Sequence, residues 1–250
     1  MPPYIRVPTS IPSIRRLSSN DVKIHKETQK DGVELYNHLW WRVVKMAINL
    51  DPKINLESDD IVVAVDSTGI KVTNRGEWIL DKWKKKKRLR KGFIKIHVAV
   101  DIKTKKIVSM SVTKENIHDG KMLKELVDNV SKKYDIKKVL ADGGYDSKDN
   151  FEYLDELKII PVIKVRKNSS VKNNAKCISR KLSVIQQIDD IKQWKKRHGY
   201  GMRWMMIESA FSSIKRTFGE YVSSVKWNNI VNELLLKASI YNTFIDKTII

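Results

Sequence analysis

A chain of 250 residues with 41% apolar residues and seven Trp can bury one sizeable core and is not a disordered polymer. Its single cysteine, Cys177, excludes an internal disulfide framework, and without a leader pattern or a long apolar run the expectation is a soluble, intracellular protein off the membrane. The net charge of +20 is concentrated: residues 82–95 carry nine Lys/Arg and no acid, and residues 164–207 carry twelve against Asp189 and Asp190. Two dense stripes on an otherwise balanced chain point to a polyanionic partner rather than to evenly spread solubilising charge.

In chain order, residues 1–30 hold four of the six prolines and read as irregular. Over residues 33–50, Tyr36, Leu39, Trp40, Val43, Val44, Ala47 and Ile48 mark an amphipathic helix that stops at Asp51-Pro52. Residues 1–58 therefore form a short N-terminal segment ahead of a main domain over 59–250, with basic insertions at 78–92 and 164–200. The main domain opens on a central strand, Ile61-Val-Val-Ala-Val65, expected to end on Asp66-Ser-Thr-Gly69. Phe93–Val100 and Ile107–Val112 read as an antiparallel hairpin, and His97 on the first of them as structural. Asp119 reads as the cap of a helix over Lys121–Val130. A strand over Lys138–Ala141 ends on Asp142-Gly-Gly-Tyr145, followed by a helix over 147–157 and a strand over Ile159–Ile163. Residues 165–180 are polar and aperiodic and read as a loop; helices fill 184–197, 203–218 and 228–246. Three antiparallel strands followed by β–α–β units describe a mixed sheet covered on both faces, an α/β fold.

Three acids stand out within this frame. Asp66 and Asp142 each follow an apolar strand, which places them at a common sheet rim where ligands bind. Glu208 flanks the stripe Ile207, Ala210, Phe211, Ile214 and Phe218 of a helix that can lie over that sheet. Neither Lys215, two turns away, nor Arg203, pointing elsewhere, is an ideal partner for it on the same helix. Singly, an Asp after a strand is turn chemistry and a helical Glu is a surface charge. Together, and beside so much positive charge, they make an all-oxygen set suited to Mg²⁺ or Mn²⁺. Two such ions about 3.5–4 Å apart would clamp an in-line displacement at phosphorus. Lys84, Lys85, Lys86, Lys87, Arg88 and Arg90, with the 164–197 region including Lys195, Lys196 and Arg197, would grip phosphates. Trp78, Trp83 and Trp194 are interleaved with these runs and could either stack on unpaired bases or pack in the core.

Asp66-Ser-Thr-Gly, Asp142-Gly-Gly-Tyr-Asp-Ser and Arg203-Trp-Met-Met-Ile-Glu208-Ser-Ala-Phe-Ser-Ser-Ile-Lys215-Arg resemble the three signature blocks of insertion-sequence DDE transposases. The resemblance spans roughly residues 60–245 and implies a ribonuclease-H-like domain with a five-stranded mixed sheet flanked by helices. It implies that Asp66, Asp142 and Glu208 are the catalytic, metal-binding triad for two Mg²⁺ or Mn²⁺ ions. It implies too that Lys215 contacts DNA near the reacting phosphate, with Arg203 and Tyr200 as helpers. Asn116-Ile-His118-Asp119 resembles a further family element after the third strand. The function so implied is metal-dependent cleavage of element ends and strand transfer into target DNA, by a homodimer on paired ends, in the cytoplasm at the nucleoid. The rivals are a nuclease of the same fold without strand transfer and a catalytically silent DNA-binding remnant. Such transposases commonly carry a larger N-terminal DNA-binding region than the roughly sixty residues that precede the first strand here.

Overall fold

The computed structural model describes residue 50 and residues 60–72, 93–171, 177–224 and 226–248, all within one compact unit, Ala47–Ile250. The expected helix over 33–50, and Trp78, Trp83 and Lys84–Arg90, lie outside the described residues, apart from Leu50.

Strands β1 (Asp60–Lys71), β2 (Phe93–Asp101), β3 (Ile107–Lys114), β4 (Asp135–Ala141) and β5 (Ile160–Ile163) form one sheet in the order β3-β2-β1-β4-β5. β1 is central, antiparallel to β2 and parallel to β4, as the chain order of hairpin and crossover units requires. Alternation along β1 sends Val63 and Val65 to one face and Ala64 and Ile70 to the other. The first face is covered by α1 (Leu123–Ser131) and α2 (Lys148–Glu156), through Leu123, Leu126, Val127, Phe151 and Leu154. The second is covered by α4 (Gly201–Phe218) and α5 (Trp227–Thr248), through Ile207, Ala210, Ile214, Leu234 and Ala238.

Helix α3 (Ile178–His198) packs on α2 and β5. Its Gln187 donates from Nε2 to Ile163 O (2.9 Å) and accepts at Oε1 from Val165 N (3.0 Å), covering polar backbone at the sheet edge. The helix is broken at Asp190 (φ −147°, ψ 96°), whose Oδ1 accepts from Lys192 N and Gln193 N, so a second helical stretch restarts there with its own cap. Residues 178–180, expected in a loop, are the first turn of this helix. Trp194, a candidate for base stacking, is buried in the core against His198 and Tyr200, and that contact removes it from any ligand surface.

Two local expectations change. β1 does not end at Asp66 but runs on to Lys71, because β2 continues to pair with it (Lys71 opposite Phe93) and Ile70 returns to the core. Asp119 is not the cap: the His118 ring accepts at Nδ1 from Gly120 N (3.2 Å), a 3₁₀ turn spans Asp119–Met122, and Asp119 turns to Lys95 (3.0 Å). His97 is structural as expected, buried with Nε2 2.8 Å from Thr113 Oγ1, and burial lowers its pKa.

Buried Asn242 on α5 pins the start of β3, accepting from Ile107 N (2.8 Å) and donating to Ile107 O (2.9 Å). Replacing it with Ala leaves a buried donor and acceptor unsatisfied, so Asn242→Ala should destabilise the fold by about 2 kcal/mol or more in urea unfolding.

Candidate active site

The site forms where β1 outruns its neighbour. β4 pairs with β1 only as far as Val65 opposite Ala141, so Asp66 and Asp142 stand side by side just beyond the last paired residues of two parallel strands. Farther along, the edge that β4 vacates is closed at Lys71 by a parallel bridge to Tyr221. Between these points the face of β1 carrying Asp66 and Thr68 looks onto α4.

Asp66 Oδ1 accepts from Ser67 N (2.8 Å) and Oδ2 from Arg203 Nη1 (2.7 Å). Burial raises the Asp66 pKa and nearby Asp142 raises it further, while the Ser67 amide and the Arg203 guanidinium hold it down. An aspartate with a raised pKa ionises first in the unfolded chain. Its contribution to stability is therefore fully present at pH below the ordinary aspartate range and is lost as pH climbs towards the folded-state value. Arg203 limits that loss.

Arg203 is itself buried on the first turn of α4, 5.5 Å over the Tyr200 ring, and the Tyr200 hydroxyl donates to Ala141 O (3.2 Å). One aromatic thus ties the helix start to the end of β4 and backs the arginine. At the other end of α4, Lys215 donates to Thr68 Oγ1 (2.9 Å). Between the two clasps lies exposed Glu208, in a cleft of about 500 Å³ shared with Asp66, Thr68, Phe211 and Lys215. A second cleft of about 570 Å³ runs from Asp142 past Lys164, Arg166, Lys167, Lys195 and Arg203. Trp204, 62% exposed, lines both.

The loop bearing Asp142 is built to bring charge close. Asp142 Oδ1 accepts from Gly144 N (2.8 Å), capping a 3₁₀ turn over Gly143–Tyr145. A Cβ on Gly144 would stand 2.9 Å from that oxygen, so glycine is required for the turn to close. Asp146, its side chain fully enclosed, takes a two-point contact from Arg180 (2.8 and 3.1 Å) and accepts from Arg166 N and Ser169 Oγ. Arg166 in turn donates to Gly143 O (3.2 Å), fixing the basic 164–169 segment beside the acid loop.

A family model described as the transposase DDE domain matches residues 57–243. The chain belongs to this family. Membership implies a DNA substrate, and DDE transposases as a class use divalent metals. The donor set in this DDE domain suits such an ion in kind, since all three acids offer hard oxygen and Asp66 and Asp142 are close enough for their charges to interact. Among the described residues, however, no three acidic, His or Cys side chains converge tightly enough to share one ion directly. Asp66 and Asp142 are brought together; Glu208 shares a cleft with Asp66 but stays exposed. Arg203, expected among DNA contacts, is paired with Asp66. Lys215 lies in the acid cleft, Lys195 lines the second cleft, and Lys196 and Arg197 are exposed at the end of α3. No described helix is long and apolar enough to cross a membrane.

Sequence reasoning missed two participants. Thr68 enters the sequence reading only as part of Asp66-Ser-Thr-Gly69, and nothing there signalled that Lys215 of α4 would bond to it. Tyr145 reads as a turn residue after two glycines. It is fully buried with no hydrogen-bond partner for its hydroxyl among the described residues, an arrangement that costs about 1–3 kcal/mol.

Arg203→Leu should move the Asp66 carboxyl titration to still higher pH, because the remaining effects of burial and Asp142 both disfavour the carboxylate. Carboxyl ¹³C shifts followed against pH report this, and a titration unchanged or moved to lower pH would contradict the assigned role of the ion pair.

Proposed function

We propose that this transposase cuts the ends of an insertion sequence and joins them to target DNA, with Asp66, Asp142 and Glu208 as its acids. The supporting observation is the pairing of Asp66 and Asp142 at the rim of adjacent parallel strands, with Glu208 in the cleft of Asp66 and a basic cleft beginning at Asp142. Asp66 and Asp142 would hold Mg²⁺ or Mn²⁺, with Glu208 reaching in from α4. A divalent cation bound there supplies Lewis-acid activation of the attacking oxygen and neutralises charge on the leaving one.

The protein's own groups bind and orient the DNA. Lys164, Arg166, Lys167 and Lys195 face one cleft and take the phosphates on the Asp142 side; Lys215 and Arg216 take those on the Glu208 side. Arg203 lies between, and an incoming phosphodiester gives its guanidinium a second anion, so part of its charge moves from Asp66 to the substrate. In the first step a water oxygen displaces the 3′ oxygen at phosphorus, freeing a 3′-hydroxyl and leaving a 5′-phosphate. In the second step that hydroxyl displaces the 3′ oxygen of a target phosphodiester, so one P–O bond forms as another breaks. A homodimer on paired ends would deliver two such hydroxyls to one target.

Asp66→Asn, Asp142→Asn and Glu208→Gln should each lower Mg²⁺-dependent cleavage of an element-end duplex by about 10³-fold or more. Retained cleavage in any of them removes that acid from the mechanism. Nicked product without joined product would identify a nuclease, and an inactive wild-type chain that still binds DNA would identify a remnant. For binding, the double variant Lys164→Ala/Lys167→Ala should reduce the slope of log K against log salt by about 2, because each lysine replaces about one condensed counterion. An unchanged slope would place the DNA elsewhere.

A further inference from the structure

The Tyr145 hydroxyl is buried with no hydrogen-bond partner among the described residues, although a phenylalanine would fill the same space without stranding a polar group. Burial pushes its pKa well above the ordinary tyrosine value, the charges of Asp66, Asp119 and Asp142 push it further in the same direction, and Arg203 opposes them. Asp119 is not one of the three acids proposed above. It comes from the turn before α1, yet it reaches the same place. The ideal Cβ position of Gly144 lies 2.9 Å from Asp142 Oδ1 and 3.8 Å from Asp119 Oδ2, so both carboxylates border one small volume.

That approach is fixed from several sides. Lys95 Nζ donates to Asp119 Oδ1 (3.0 Å) and to Ile117 O (3.0 Å), which holds one carboxylate oxygen against β2. His97 Nδ1 lies 3.9 Å from the same oxygen. Buried Asn150 donates from Nδ2 to both Gly120 O (3.0 Å) and Tyr145 O (2.9 Å), stapling the Asp119 turn to the Tyr145 turn. No three such side chains among the described residues converge on one ion directly, so any link from Asp119 to an ion at Asp66 and Asp142 would run through an intervening molecule. Water fits: it can donate to Asp119 Oδ2, accept from the Tyr145 hydroxyl, and keep a lone pair for a cation.

We propose that Asp119 and the Tyr145 hydroxyl are positioning residues that hold a water molecule between themselves and a divalent cation seated at Asp66 and Asp142. The proposal rests on the metal-dependent reading given above and adds a fourth acid and a phenol to that site. Their role is to orient the cation's hydration, not to touch the scissile phosphate.

The full chain, titrated with Mn²⁺ alone while free Mn²⁺ is followed by electron paramagnetic resonance, tests this without any DNA reaction. Tyr145→Phe and Asp119→Asn should each weaken Mn²⁺ binding about tenfold. The melting temperature of metal-free Tyr145→Phe should be unchanged or higher, since the variant removes only a stranded hydroxyl, a combination that a purely structural role does not produce. If both variants bind Mn²⁺ like the wild type while Asp66→Asn does not, the positioning role is overturned and the metal site stands. If Asp66→Asn also binds like the wild type, or the wild type takes up no Mn²⁺, the metal reading and this proposal fall together.

Discussion

Two like charges at the mouths of neighbouring strands, partly withdrawn from water, set the terms for everything around them. Asp66 cannot sit there without compensation, because burial and the nearby Asp142 charge both act against its ionised form. The protein answers with Arg203, the Ser67 amide and the Gly144 amide. Arg203 then needs its own support, which Tyr200 gives by bonding to the end of β4 and lying under the guanidinium. The start of α4 is thereby fixed to the sheet by electrostatics as much as by its apolar stripe. Glu208 and Lys215 are carried into place as a consequence.

The same logic explains why the acid loop is so heavily tied. Asp146, enclosed and paired with Arg180, takes bonds from both α3 and the basic 164–169 stretch, and Arg166 of that stretch donates to Gly143. A buried charge pair of this kind adds little net stability but strongly specifies one arrangement, because losing either partner strands the other. Here the arrangement specified is a positive cleft running directly into a negative rim.

Much of this was readable from residue order. The apolar run Ile61–Val65, the hairpin and the alternation of helix and strand gave the sheet, since burial on both faces leaves no polar period to misread. The placement of Asp66 next to Asp142 followed from reading each as the residue after an apolar strand run, although of the two strands only β4 stops there. Less accessible were features that depend on a third element. That β1 would pass Asp66 is decided by β2, which supplies partners as far as Phe93. That Arg203 would face Asp66 rather than solvent depends on Tyr200 and the crossing of α4 over β1, neither of which has a signature in helical spacing. For Trp194 the sequence left base stacking and core packing both open; past the break at Asp190 the indole lies in the core. The Asp119 cap failed for a local reason: the His118 ring competes for the same amide, and Lys95 offers the carboxylate a stronger partner.

The interruption of α3 has a consequence of its own. Before Asp190 the helix is anchored by Gln187 to the backbone of Ile163 and Val165; after it comes the short rod that ends in Lys195, Lys196 and Arg197. A continuous helix would transmit any change in its anchoring straight to that basic tip, about 1.5 Å for every residue gained or lost. With one non-helical residue between them, the two halves form an elbow, and the pitch of the forearm is set separately from the seat of the upper arm. The direction of the basic tip is thereby uncoupled from the anchoring of the helix on the sheet edge.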